Sequence, residues 1–203
     1  ITSGRTFSSF DAAVMQGDRR CASGTLLLGA PAPDVVTHGE RADGVPGPDD
    51  AVPYDMGVTG RDLRVVDAAY TDDADAPVGP PSVDAWVRFR EVPDEQALHA
   101  GLLAQFTGHM SIAAALRPHA GVGQQEAHRT LSTAINAIAI SFHDDVRVDR
   151  WVLYRHLATV VRGGMAHSEC RAYDEDRALV ASFTVDAMIR RLDRPDADHR
   201  TAL

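Results

Sequence analysis

The chain has 203 residues, which fits one or two domains, and 44% of them are hydrophobic, enough for a sizeable core. Its 20 basic residues are all Arg, against 29 Asp and Glu, so the net charge is −9. That argues against a nucleic-acid partner, whose usual signature is a basic face or stripe. It leaves an anionic small ligand open, because a local Arg pocket can hold phosphate inside an acidic protein. The absence of Lys removes Schiff-base chemistry and the phosphate-loop lysine.

Taken in chain order, residues 5–16 and 19–30 read as two extended segments. Gly17-Asp18 lies between them as a hairpin turn. From 31 to 81 the texture changes to Pro, Gly and Asp, with an acidic tract at Asp72, Asp73 and Asp75. This span reads as an inter-domain linker with short local elements, such as 63–66. Residues 83–91 partly alternate apolar and polar and predict a strand. Pro93-Asp94-Glu95 then opens a helix that ends near Gly108, with Leu98, Leu102 and Phe106 on one face. Four extended segments follow at 130–143, 151–161, 165–173 and 178–190, with a polar turn at 174–177. One strand, one helix and four strands predict an α+β architecture, an antiparallel sheet packed on a helix.

No apolar run is long enough for a membrane span. No signal peptide is expected, since Ile1 leads directly into polar residues, and the lack of an initiating Met points to a fragment or processed form. Cys21 and Cys170, without a CxxC pattern, read as two reduced thiols of a cytoplasmic protein.

The segments from residue 83 onward carry a resemblance. In order, they are Trp86-Val87-Arg88, PDEQALHAGLLA at 93–104, ALRPH at 115–119, Phe142-His143, RWVLY at 150–154, and LVASFTVDAMIRR at 179–191. Together they resemble the acyl-CoA thioesterase II family, whose fold is the double hotdog: two units in one chain, each an antiparallel sheet wrapped around a long central helix. The resemblance implies that 1–30 are the C-terminal strands of a first, incomplete hotdog unit. It makes 31–81 the linker, 82–193 the second unit and 194–203 a tail. It also implies hydrolysis of an acyl-CoA thioester to free fatty acid and CoA, without a cofactor.

The resemblance further implies three residues that hold the attacking water: an Asp at the end of the helix, a Thr or Ser on the next strand, and a Gln on the last strand. In an ungapped reading these positions carry Gly108, Ile135 and Val185. The candidates left nearby are His109 as general base, Thr133 as the water-orienting hydroxyl, and Asp186. Thr133 shares the strand face of Ile135, whereas Asp186 faces away from Val185 unless the strand is bulged. Asn136 is a possible amide donor on the opposite face, and His143 reads as structural. Arg88, Arg90, Arg162 and Arg171 are the natural contacts for CoA phosphates. His99 and His109 lack a metal-ligand spacing, and no HExxH, phosphate loop or GxSxG elbow is present, so no metal is expected. The alternatives to a hydrolase are a non-catalytic acyl-CoA-binding protein or a partner subunit. A lone hotdog sheet leaves an open edge, so a homo-oligomer is expected.

Overall fold

The computed structural model describes residues 2–73 and 75–192, with side chains from residue 4 onward. The chain divides into two compact units, Ile1–His38 and Gly39–Leu203. The tail expected at 194–203 lies outside the described residues.

The smaller unit holds β1 (Thr2–Ser3), β2 (Phe7–Gln16) and β3 (Arg19–Gly29) in an antiparallel sheet of that order. Gly17 takes φ +58, the left-handed conformation that a two-residue hairpin turn requires. Thr25 Oγ1 donates to Asp11 Oδ1 at 2.7 Å across their cross-strand pair.

The larger unit holds β4 (Val52–Pro53), β5 (Arg61–Val65), β6 (Ser82–Phe89), α1 (Gln96–Phe106), α2 (Ser111–Leu116), β7 (Leu131–Phe142), β8 (Val152–Arg162), β9 (Met165–Tyr173) and β10 (Leu179–Arg191). Its sheet runs β4-β5-β6-β8-β9-β10-β7, and every pairing is antiparallel. The last four strands fall within a residue or two of the segments expected from the sequence.

Residues 39–81 differ from the expected linker. β5 pairs with β6, Leu63 opposite Val87, and Arg41 bridges to Ala178 beyond β9. Ala42, Ala51 and Val66 are buried with Trp86, Leu153 and Tyr173, sealing one face of the sheet. Trp86 Nε1 donates to the Pro46 carbonyl at 3.0 Å, and Tyr173 Oη donates to Glu40 at 2.8 Å. Pro and Gly make the composition look like a linker, yet the few apolar side chains between them have a sheet face to cover.

The opposite face of the sheet carries the helices. Successive strand residues point to opposite faces. On β8, Val152, Tyr154, His156 and Ala158 therefore turn toward α1 and α2, while Leu153 turns toward the other cluster; all five are buried. Helix α1 starts at Gln96 rather than Pro93, and it buries His99, Leu103 and Phe106. The expected stripe of Leu98, Leu102 and Phe106 is displaced by one residue, and Leu98 is 48% exposed. The helix turns this way because His99 accepts a hydrogen bond from the Val148 amide and the Leu103 carbonyl accepts one from Tyr154 Oη. The second helix was not foreseen; the chain breaks at 107–110 and then resumes.

Strand β5, next to one edge of the curled sheet, and β7, at the other edge, both reach the end of α1. Arg61 of β5 donates to Gln105 at 3.2 Å, and Gly108 rests against Ile135 of β7, where a Cβ would lie 3.2 Å from Ile135 Cγ1. We expect Leu103→Ala to cost about 2–5 kcal/mol in urea unfolding, whereas Leu98→Ala costs under about 1 kcal/mol. The reverse order would mean that α1 presents the face read from its sequence.

Candidate functional site

The site is the break after α1. Thr107 Oγ1 donates back to the Ala104 carbonyl at 2.7 Å, which holds the last turn closed. The next two residues place His109 with its ring stacked on Phe106, centroids 4.7 Å apart and planes 3° from parallel. Nδ1 of His109 faces the Phe106 carbonyl at 3.3 Å, an oxygen that can only accept. Nδ1 therefore carries the hydrogen of the neutral ring, and the free lone pair is on Nε2. Burial, and then the neighbouring Arg61 guanidinium, hold His109 below the ordinary imidazole range. It is an uncharged base at neutral pH.

The structure brings two of the three resemblance positions, Gly108 and Ile135, into contact. Gly108 faces Ile135 and Ile138 at 3.2 and 3.6 Å, measured from the Cβ it lacks. Ile138 is the cross-strand partner of Val185. Gly108 thus lies against β7 at Ile135 and Ile138, and none of Gly108, Ile135 and Val185 carries a polar side chain. Thr133 lies two residues along β7 on the same face, opposite Ile189, and is buried at 8% exposure.

Asp186 is not brought to this place. A register shift does occur beside it, but the extra residue is Asn136 on β7: Asp186 pairs with Ala137 and Ala187 with Ile135. Strand β10 therefore keeps its alternation, and Val185 and Ala187 are buried while Asp186 faces the other side. There it takes a 2.7 Å contact from His167 Nδ1. The catalytic candidacy of Asp186 is corrected on that ground. Asn136 is exposed, and His143 Nε2 meets Ser182 Oγ at 2.8 Å near the far end of β7.

Sequence reasoning missed a buried polar group under α2. His156 Nδ1 is 3.0 Å from Ser111 Oγ and 3.5 Å from Cys170 Sγ. Burial, and then His109, pull His156 down to about 3, and burial pushes the Cys170 thiol up to about 11. Both stay uncharged at neutral pH, so neither a thiolate nor an imidazolium is present. Strand alternation in VLYRHLA was the available signal, since it puts His156 in line with Tyr154.

The four sequence-chosen arginines separate. Arg171 pairs with Glu40 at 2.9 Å, and Arg162 is exposed at the end of β8. Arg88 and Arg90 both clamp Asp62, whose carboxyl they hold below the usual carboxylate range. They line a cavity of about 730 Å³ together with Arg61, Arg64 and Trp151. The guanidiniums of Arg64 and Arg88 lie 5.3 and 4.8 Å from the Trp151 ring. Among the described residues, no group of three His, Cys, Asp or Glu could hold a metal ion, and no helix is long and apolar enough to cross a membrane.

A single antiparallel sheet curled about the end of a helix defines a hotdog-fold protein. Residues 40–189 match the family model of the acyl-CoA thioesterase C-terminal domain, and the chain belongs to that family. Similar solved structures share the fold. The acyl-CoA thioesterase II TesB2 of Mycobacterium marinum is 22% identical with a TM-score of 0.77, covering 95% of this chain and 72% of its own. The tesB protein of Mycobacterium avium subspecies paratuberculosis is 19% identical with a TM-score of 0.74, covering 94% and 69%. A hot dog fold protein of Alicyclobacillus acidocaldarius is 16% identical with a TM-score of 0.69, covering 94% and 70%.

His156 also sets a pH dependence of stability. Its folded value of about 3 lies below the ordinary 6.5, so between those values the unfolded chain binds the extra proton. Stability from this residue is complete above pH 6.5 and falls as pH drops toward 3. Denaturant titrations from pH 7 to pH 4 are expected to show a flatter decline for His156→Gln than for the parent. Equal slopes would refute a neutral buried imidazole.

Proposed function

We propose that this chain hydrolyses an acyl-CoA thioester to the free acid and CoA, with His109 and Thr133 in place of the family's water-holding residues. The observation that carries the reading is the uncharged His109 imidazole beside Gly108, where the family Asp would stand. In this mechanism His109 Nε2 accepts a proton as water attacks the thioester carbonyl, and the Thr133 hydroxyl orients that water. The carbon–sulfur bond then breaks, and the proton passes from His109 to the departing CoA sulfur. Ile135, Ile138 and Phe142 are 36%, 43% and 44% exposed on the helix side of β7, an apolar strip suited to the acyl chain.

The surrounding assignments belong to the same proposal. Residues 2–30 act as the last strands of a first hotdog unit, and 39–192 as the second. The protein works in the cytoplasm, and it works as a homo-oligomer because, among the described residues, β7 ends its sheet with no strand paired to its outer edge.

A second reading, an acyl-CoA-binding protein or partner subunit without turnover, is favoured by one observation. Ile135 packs onto Gly108 where the water would sit, and a hydrocarbon wall cannot hold it. CoA release from short, medium and long acyl-CoAs separates the two. For the hydrolase, His109→Gln and Thr133→Val, which keep most of the side-chain volume, each lower kcat by about 10²-fold or more in protein that still unfolds cooperatively. Acyl-CoA that raises the melting temperature without releasing CoA supports the second reading instead.

A further inference from the structure

A separate cavity, of about 400 Å³, lies at the far end of α2. His109 stands just before the first turn of that helix, and Arg117 follows its last residue. About 9 Å of helix therefore separates the cavity from the site at the end of α1. Its walls come from the turn after β5, the Pro-rich loop before β6, α2, and the loop that follows α2. The volume is at the small end for a ligand site and suits a molecule much smaller than a CoA thioester.

Arg117 is built into this wall. Its Nη1 donates to the Ser82 carbonyl at 2.7 Å, and its carbonyl accepts from the Gly79 amide at 3.2 Å. Only glycine admits the guanidinium here, since a Cβ at 79 would lie 2.5 Å from Arg117 Nε. The cation is thus fixed in place. Yet among the described residues no carboxylate lies within 4.0 Å of it. Asp67 and Asp73 line the same cavity, and they too have no cation within that distance among the described residues. Charges of both signs face one space without pairing across it.

Two further observations point to a ligand. Tyr70 lines the cavity and is 7% exposed, and its hydroxyl has no hydrogen-bond partner among the described residues. Tyr54, packed edge-on against it at 4.8 Å, spends its own hydroxyl on Asp72. A buried hydroxyl left without a partner is costly, and it marks a place where a partner is missing. Asp67 and Ala68, in the same wall, take φ of +55 and +49. Two successive non-glycine residues in the left-handed region are strained, and such strain gathers at ligand sites. The rest of the wall is apolar, with Val78, Ala113 and Leu116 among its residues.

We propose that this cavity binds a free amino acid with an apolar side chain. Its carboxylate meets the Arg117 fork, its ammonium meets Asp67 and Asp73, and its side chain lies against Val78 and Leu116. A simple amine would leave Arg117 unpaired, and a simple acid would leave the two carboxylates unpaired. The proposal is independent of the thioester reading.

The test is calorimetry on the full chain with L-leucine, L-valine and L-phenylalanine. At least one of them is expected to bind saturably, with leucine the reference. Isoamylamine is leucine without the carboxylate, and 4-methylpentanoate is leucine without the ammonium. Each is expected to bind about tenfold more weakly than leucine, or worse. The double variant Asp67→Asn/Asp73→Asn keeps the shape, and Asn accepts the left-handed conformation at 67. It is expected to weaken leucine binding by about tenfold or more, and Tyr70→Phe is expected to weaken it by about threefold or more. His109→Gln is expected to bind leucine as the parent does.

The absence of saturable binding by all three amino acids overturns the proposal. So does either leucine fragment binding as tightly as leucine, or an unchanged affinity in the folded double variant. Loss of leucine binding in folded His109→Gln protein also overturns it, because the ligand would then sit at the end of α1.

Discussion

The end of α1 is held by the packing of three side chains around Phe106. Phe106 is fully buried, with Tyr154 edge-on at 4.9 Å, His109 face-on at 4.7 Å and the Arg61 cation at 5.0 Å. Those neighbours come from β8, from the chain just past α1, and from β5. One aromatic ring thus ties the helix end to the middle of the sheet and to β5 near one of its edges. The edge strand β7 meets the same helix end through Gly108 and Ile135, where a Cβ at 108 would lie 3.2 Å from Ile135 Cγ1. The position and protonation of His109, and the burial of Arg61, both depend on this packing.

A consequence is an unusual distribution of polarity. Beside Gly108 the sheet presents hydrocarbon from Ile135 and Ile138, while polar groups collect on either side. Toward the sheet, Ser111, His156 and Cys170 form a neutral buried set whose His156 Nε2 finds no partner. Toward β5, a guanidinium is buried without a carboxylate. Low local polarity suppresses ionisation in the first group, because a neutral imidazole costs less to bury than a charged one. It cannot do so in the second, because Arg stays protonated at any physiological pH. Arg61 is therefore a permanent, buried charge beside an uncharged base.

The face of the sheet away from the helices explains the long Pro-rich segment. A two-faced sheet needs cover on both sides, and here the second cover is supplied by loop rather than helix. Trp86 and Tyr173 each spend their polar atom on that loop, through Pro46 and Glu40. This anchors residues that lack regular secondary structure and whose composition gives no hint of packing.

Much of the fold was legible because it follows from local periodicity. The hairpin turn at Gly17, the strands from 131 onward and the helix before Gly108 all follow from alternation, turn residues and spacing. The order of short motifs identified the family. What the sequence could not supply were relations between distant residues. The one-residue rotation of α1 is decided by His99 and Val148, which are 49 positions apart. Placing the bulge on β7 rather than β10 is decided by pairing between two strands, and it alone removes Asp186 from the site. The meeting of Arg61 with Phe106 requires the sheet to curl. By itself the sequence determined which elements form and which chemical groups are missing. Only the tertiary structure decided which of the remaining groups meet, because burial and pairing across the sheet are set by contacts that no local pattern encodes.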